Sequence, residues 1–365
     1  MIPRAVVILA LASLLCPARS APAQPTGQLV TDTVPAASLA GNLLGDPTRQ
    51  PAFVYLPPSY DSAHRRYPVI YLLHGILDSP SVWVEPTYQG MTIQATMDSL
   101  IAAGEIEETI VVMPNGRNAY GASGWMNSAV AGRWGDYLAF DVVRHVDATY
   151  RTIPRRESRA LLGHSMGGFG AIRLAMLHPD VFSVAWGMNP CCLCCMEIDA
   201  EVDPELWQRI KAYPSIEAMW EDLEERGDPW PLILVGMWTL FFPDPDDPPF
   251  YYDAPVREED GRLVSTGAIE RVAAPLPLAR AAEHAEALRS LRGLAFDSAF
   301  GDEFAHIPIG TEAFSDTLEA LQVPHVYEVY EGDHRNRMRE RMATRILPWI
   351  DLRLRRPDAG SRSDR

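Results

Sequence analysis

Residues 163–167 read Gly-His-Ser-Met-Gly and place one hydroxyl, that of Ser165, midway between two glycines. A serine hydroxyl is a weak nucleophile at neutral pH and acts only when a base takes its proton. The G-x-S-x-G spacing suits a sharp turn from a buried strand into a helix. Such a turn lifts the hydroxyl clear of the sheet and leaves the next backbone N–H unpaired at a helix start. The flanks fit: residues 158–162 read as a short buried strand, and residues 169–177 as a helix that ends at His178-Pro179.

The base and its orienting acid should follow the serine in the order serine, acid, histidine. Histidine suits proton transfer because its ordinary pKa lies near neutrality. His284, His306, His325 and His334 lie beyond the strand read at 182–187. His334 follows the last apolar strand, at the sheet edge where sites form in open α/β folds. His325 opens that strand and belongs to the opposite edge. His284 sits in a charged helical stretch and reads as solvated; His306 is a lesser rival, on a loop after Asp302. Two carboxylates follow the strand at 294–296. Asp302, five residues beyond Asp297, reaches a histidine ring more readily from its loop and is preferred; Asp297 stays as the alternative. Asp333 adjoins His334 and cannot easily bend back to its ring. For an oxyanion the expected donors are Met166 N–H from the turn and Ile76 N–H from the loop after His74-Gly75.

These residues must stand on a sheet. Residues 68–73 and 109–114 are continuous apolar runs, as central parallel strands should be. Residues 28–60 look like a strand pair. Further strands are expected at 182–187, 294–297 and 326–330, with helices at 93–103, 135–150, 312–321 and 337–350. Strands alternating with helices predict a mostly parallel sheet covered on both faces. Residues 196–290 break the rhythm with four tryptophans, a proline-rich acidic run and helix-compatible spacing interrupted by Pro214. They read as an excursion over the strand ends, a lid or pocket wall. The competing expectation is a peripheral appendage whose aromatics fill its own core.

Taken together, the segments 71–75, 112–116, 163–168, 296–302 and 332–334 resemble the putative esterase (esterase D-like) family of α/β-hydrolases, which includes feruloyl esterases, S-formylglutathione hydrolases and mycolyltransferase-like proteins. The resemblance spans residues 53–350. It implies an α/β-hydrolase fold, Ser165 as nucleophile, Asp302 as acid, His334 as base, and Ile76 and Met166 as oxyanion donors. Ala299 stands where the family pattern has a glycine, and the excursion is longer than in compact members. The activity this implies is hydrolysis of a small-molecule ester through an acyl-enzyme, and the aromatic residues of the excursion point to an apolar or aromatic ester group. An acyltransferase with an alcohol acceptor would use the same groups. A secreted binding protein on a retired hydrolase scaffold is a third reading.

Composition sets the outer bounds. The chain has 365 residues, 47% of them hydrophobic, enough for one large core. Its formal charge is −16 and Lys211 is its sole lysine, which argues against a nucleic-acid partner. Arg4, an apolar run at 5–15 and Ala21-Pro22-Ala23 form a signal-peptide pattern over residues 1–23, with Ala18-Arg19-Ser20 as an alternative cleavage site. The run is too short for a permanent membrane span, so a periplasmic or extracellular protein is expected. Residues 24–355 then form one domain and 356–365 a disordered tail. Cys191, Cys192, Cys194 and Cys195 crowd five positions. The order of expectation is a local disulfide, then buried thiols, then a metal. No metal and no cofactor are expected, and the oligomeric state is left open.

Overall fold

The structure is a computed structural model, and it describes residues 26–194, 203–267 and 275–356. The expected signal segment, Cys195 and residues 357–365 lie outside the described residues. Eight strands form the main sheet: β1 (Gln28–Pro35), β2 (Arg49–Leu56), β3 (Val69–Leu73), β4 (Ile110–Pro114), β5 (Arg159–His164), β6 (Val184–Met188), β7 (Gly293–Ala299) and β8 (Val326–Tyr330). Their order is β1-β2-β4-β3-β5-β6-β7-β8. β2 runs antiparallel to both β1 and β4, and every pair from β4 to β8 is parallel. This is the α/β-hydrolase fold.

Strands β3 to β6 are buried along their whole length, because both faces are covered. The alternation along β3 divides its side chains between two cores. Tyr71 and Leu73 enter the one that holds Phe169, Ile172 and Met176 of α2 (Met166–Leu177). Ile70 and Leu72 enter the other, with Met97 and Leu100 of α1 (Ile93–Ala103) and with Met342, Ile346 and Ile350 of the closing helical segment. A period of two thus serves two layers of helices.

Most expected elements form within a few residues of their expected bounds. The helix expected at 135–150 runs from Trp134 to Thr149 with a wider turn at Tyr137–Val142. Pro214 does interrupt the helical spacing. Helix Pro204–Ala212 stops before it, and helix Ile216–Arg226 restarts under its own cap, Ser215 Oγ accepting from Ala218 N at 3.3 Å. The helix expected at 312–321 begins earlier, as α4 (His306–Ala320). Pro308 falls in its first turn, where a missing N–H costs no intrahelical bond. The excursion contributes α3 (Trp230–Phe241).

Across the sheet, β3, β5, β6, β7 and β8 stand side by side and parallel. The loops at their carboxyl ends therefore share one rim. Those loops carry Gly75 to Asp78, Ser165, Asn189 to Cys192, Asp302 and His334. Beneath the rim a buried charge network ties β6, β7 and β8 to the closing helix. Arg341 Nη2 lies 2.9 Å from both Asp297 Oδ2 and Glu328 Oε2. Replacing Arg341 by Met leaves Asp297 buried without its cation. The expected loss is about 3–5 kcal/mol, read as a lower urea midpoint at unchanged slope. An unchanged midpoint would contradict this account of the network.

Candidate active site

Ser165 sits between the end of β5 and the start of α2 with φ 55° and ψ −117°. Few non-glycine residues adopt such a backbone. The two flanking glycines make it feasible. A Cβ on Gly163 would overlap the Gly167 carbonyl, and a Cβ on Gly167 would overlap the Leu73 carbonyl. Strand and helix approach so closely there that no side chain fits. The turn is pinned by Ser165 N donating to Met188 O at 2.9 Å and by Cys191 N donating to Ser165 O at 3.3 Å.

His334 lies in the loop after β8 with its ring almost wholly buried. Its Nδ1 is 2.8 Å from Asp302 Oδ2, whose side chain is fully covered. Asp302 Oδ1 accepts from Phe304 N at 2.9 Å, which fixes the carboxylate plane. Asp297 is committed elsewhere. Its Oδ2 accepts from Trp186 Nε1 and Arg341 Nη2, each at 2.9 Å, and its Oδ1 accepts from Asn189 N at 3.0 Å. The two aspartates expected as alternatives thus hold different partners, and the histidine contact belongs to Asp302. Asp333 Oδ1 accepts from Arg335 N and Asn336 N in a local turn.

The other histidines are spread apart. His325 bridges Ser315 Oγ and Val323 O. His284, expected to be solvated, is only partly exposed and lies beside Glu283. His306, expected on a loop, opens α4 and lines the same cavity as Ser165.

Two residues of the site were quoted in the motifs but given no task. His164 Nε2 donates to His334 O at 2.8 Å, and Asn189 Nδ2 donates to the same oxygen at 3.1 Å. The loop that carries His334 is thereby clamped to the ends of β5 and β6. Burial first, and His334 second, hold His164 well below the ordinary histidine range, so it stays neutral. The second is His74. Its Nδ1 donates to Gly75 O and its Nε2 accepts from Gly116 N, each at 2.9 Å. These partners fix one neutral tautomer, which holds the loop carrying Ile76 against the loop after β4. A Cβ on Gly75 would stand 3.4 Å from Ser165 Cβ, so this loop runs directly beside the serine. The motif His-Gly signalled the loop, but nothing in the spacing signalled the imidazole's two backbone partners.

One cavity of about 370 Å³ opens over these groups, within the size range of small-molecule sites. Ser165, His334, Ile76 and Met166 line it, together with Trp230, Ile233, Leu234 and Met237. The last four come from α3, inside the excursion. Trp230 faces the cavity, while Trp207 and Trp238 pack together with ring centroids 6.1 Å apart, continuous with the core that holds Tyr71 and Phe169. Trp220 Nε1 donates to Ala119 O at 2.8 Å, and Leu77 N donates to Gly121 O at 2.8 Å. The excursion is thus tied to the same 119–121 loop as the segment after His74. Among the described residues, no group of histidines, cysteines and carboxylates is arranged to hold a metal.

Residues 47–236 match the family described as Putative esterase, a little over half of the chain, and the protein belongs to that family. Two relatives are 32% identical to it over 143 residues. One is an endo-1,4-beta-xylanase/feruloyl esterase of Xylanibacter ruminicola, matched over 38% of this chain and 19% of that protein; the other is an esterase of Mycobacterium tuberculosis, matched over 36% and 27%. The chain therefore aligns with only about a fifth to a quarter of the length of these relatives. Among solved structures, a ferulic acid esterase superposes with a TM-score of 0.62 at 21% identity, over 90% of this chain and 99% of that one. An S-formylglutathione hydrolase of Agrobacterium tumefaciens superposes with a TM-score of 0.54 at 15% identity, over 91% and 97%. These likenesses are of fold.

The burial of His74 has a consequence for stability. Burial holds its pKa down at about 4, against 6.5 for an unfolded chain. Below pH 6.5 the unfolded chain takes a proton that the folded chain refuses. This contribution is therefore complete above 6.5 and is lost as the pH falls toward about 4, a change of about 3 kcal/mol from this residue. His164 acts in the same direction. Urea unfolding followed from neutral pH to about pH 4 should show a shallower loss of stability in His74→Gln than in the parent. Equal slopes would show that His74 is not buried in its neutral form.

Proposed function

We propose that the protein is a serine carboxylesterase working through an acyl-enzyme on Ser165. The observation that carries this reading is the convergence on one cavity of a serine held in a strained turn and a histidine bonded to a buried carboxylate. His334 Nε2 takes the Ser165 proton as Oγ attacks the ester carbonyl carbon. Asp302 keeps the Nδ1–H tautomer in place and stabilises the imidazolium that forms. The backbone N–H groups of Ile76 and Met166 receive the oxyanion, each worth about 3 kcal/mol of transition-state stabilisation. Collapse of the tetrahedral intermediate breaks the C–O bond, and His334 returns the proton to the leaving alcohol. Water, deprotonated by His334, then releases the acid and regenerates Ser165.

The substrate is a small-molecule ester with an apolar or aromatic group. Trp230, Ile233, Leu234 and Met237 supply the apolar surface that favours it. Residues 1–23 act as an export signal, supported by Arg4, the apolar run and the small residues before Gln24. No described helix is long and apolar enough to cross a membrane.

Ser165→Ala should lower kcat by roughly 10⁴-fold or more, and Asp302→Asn by roughly 10⁴-fold with KM little changed. A panel of p-nitrophenyl, feruloyl and thioester substrates, with a fluorophosphonate probe for the serine, reads both. Hydrolysis or labelling that survives Ser165→Ala removes the mechanism. Amino-terminal sequencing of the exported protein should begin at Gln24; an intact Met1 on that protein would remove the export signal.

A further inference from the structure

The cysteine cluster has no part in the hydrolytic scheme, yet it reaches the cavity. Cys191 and Cys192 follow β6 after Asn189 and Pro190, and both line the space over Ser165. Cys191 is partly exposed and Cys192 is buried. No bond joins them, but their Sγ atoms stand 2.7 Å apart, inside the ordinary contact distance of two sulfurs. Cys192 has φ 59°, a left-handed backbone that brings its side chain alongside that of its neighbour. Cys191 also holds the serine turn, through its N–H on Ser165 O.

We propose that Cys191 and Cys192 are a dithiol–disulfide site in the wall of the substrate cavity, closed by small-molecule disulfides such as oxidised glutathione and reopened by thiols. The two cysteines have unequal access, and this sets the order of events. The Cys191 thiolate, reachable from the cavity, attacks one sulfur of the small disulfide. That S–S bond breaks, a mixed disulfide forms on Cys191, and one thiolate leaves and takes up a proton. Cys192, whose thiol burial pushes up, then loses its proton to solvent and attacks the Cys191 sulfur. The mixed disulfide breaks and a second small thiolate leaves and is protonated. Two electrons pass from the protein pair to the oxidant, giving one Cys191–Cys192 bond and two small thiols. Exchange of this kind requires an accessible attacking thiol and a second thiol within reach. Adjacent residues bridge only through a small strained ring, so closure moves the Cys191 peptide that pins Ser165. Oxidation is therefore coupled to substrate binding.

The test treats the whole purified protein with oxidised glutathione, alkylates the remaining thiols and fragments the tryptic peptide of residues 174–209 by mass spectrometry. The expected result is joint loss of alkylation at Cys191 and Cys192, no retained glutathione, and recovery with a phosphine reductant. Cys192→Ser, which keeps the attacking thiol and lacks the resolving one, should instead retain one glutathione on Cys191. Cys194→Ala should leave closure of the pair intact. On p-nitrophenyl esters the oxidised parent should show a several-fold change in KM that the reductant reverses, whereas oxidised glutathione should leave the KM of a Cys191→Ser/Cys192→Ser double variant unchanged. Unchanged alkylation at both positions, or pairing that runs to Cys194 or Cys195, overturns the site. Closure without any kinetic change overturns its coupling to the cavity. Only that kinetic arm rests on the esterase reading. Fluorophosphonate labelling of Ser165 in the same samples separates the two, because it fails when the serine is not the nucleophile and is blind to where the sulfurs pair.

Discussion

The backbone at Ser165 is the constraint on which the rest of this structure depends. A serine at φ 55° and ψ −117° is held there only because β5, α2 and the end of β3 press together with no side chain between them. Gly163 and Gly167 permit that approach, and the Leu73 carbonyl on the neighbouring strand closes it. The cost of the turn, on the order of 1–3 kcal/mol for such a conformation, is met by the packing of strands buried on both faces. In return, the hydroxyl stands above the sheet edge and the first turn of α2 opens beside it.

From that point the site is assembled by backbone carbonyls as much as by side chains. The carbonyl of His334 takes two donors, from His164 and Asn189. These residues close strands β5 and β6, so the histidine's loop is located by its neighbours' strand ends. The carbonyl of Gly75 takes the His74 imidazole in the same manner. Both pinning imidazoles are buried and neutral, which suits them to fix geometry while remaining outside proton transfer. The rim is thus rigid at its floor. Its outer wall is α3, from a segment that follows no regular βα rhythm.

Much of the sheet was legible because a central parallel strand leaves a plain mark. Residues 69–73 and 110–114 are apolar at nearly every position, and only a strand covered on both sides demands that. The serine turn was legible for a related reason: glycines at fixed offsets record a backbone that tolerates nothing else. The start of α4 was not legible. Pro308 and Gly310 oppose helix in isolation, and packing of Ile307, Thr311 and Phe314 into the core outweighs them. The division of labour between Asp297 and Asp302 was hidden too. They lie five residues apart at the end of one strand, and Asp297 is claimed by partners far along the chain: Trp186, Asn189 and, 44 residues further on, Arg341.

What the sequence alone determined was therefore local or periodic: the strands, the helices that flank them, the elbow at Ser165 and the place of His334 after the last strand. These follow from side-chain alternation and from steric limits within a few residues. What only the tertiary structure decided was which groups meet: Asp302 with His334, His164 and Asn189 with one carbonyl, α3 with the cavity, and two cysteines with the cavity wall beside the serine. Such meetings depend on strand order and loop path across the whole sheet, and contacts between residues distant in the chain leave no fixed spacing to read.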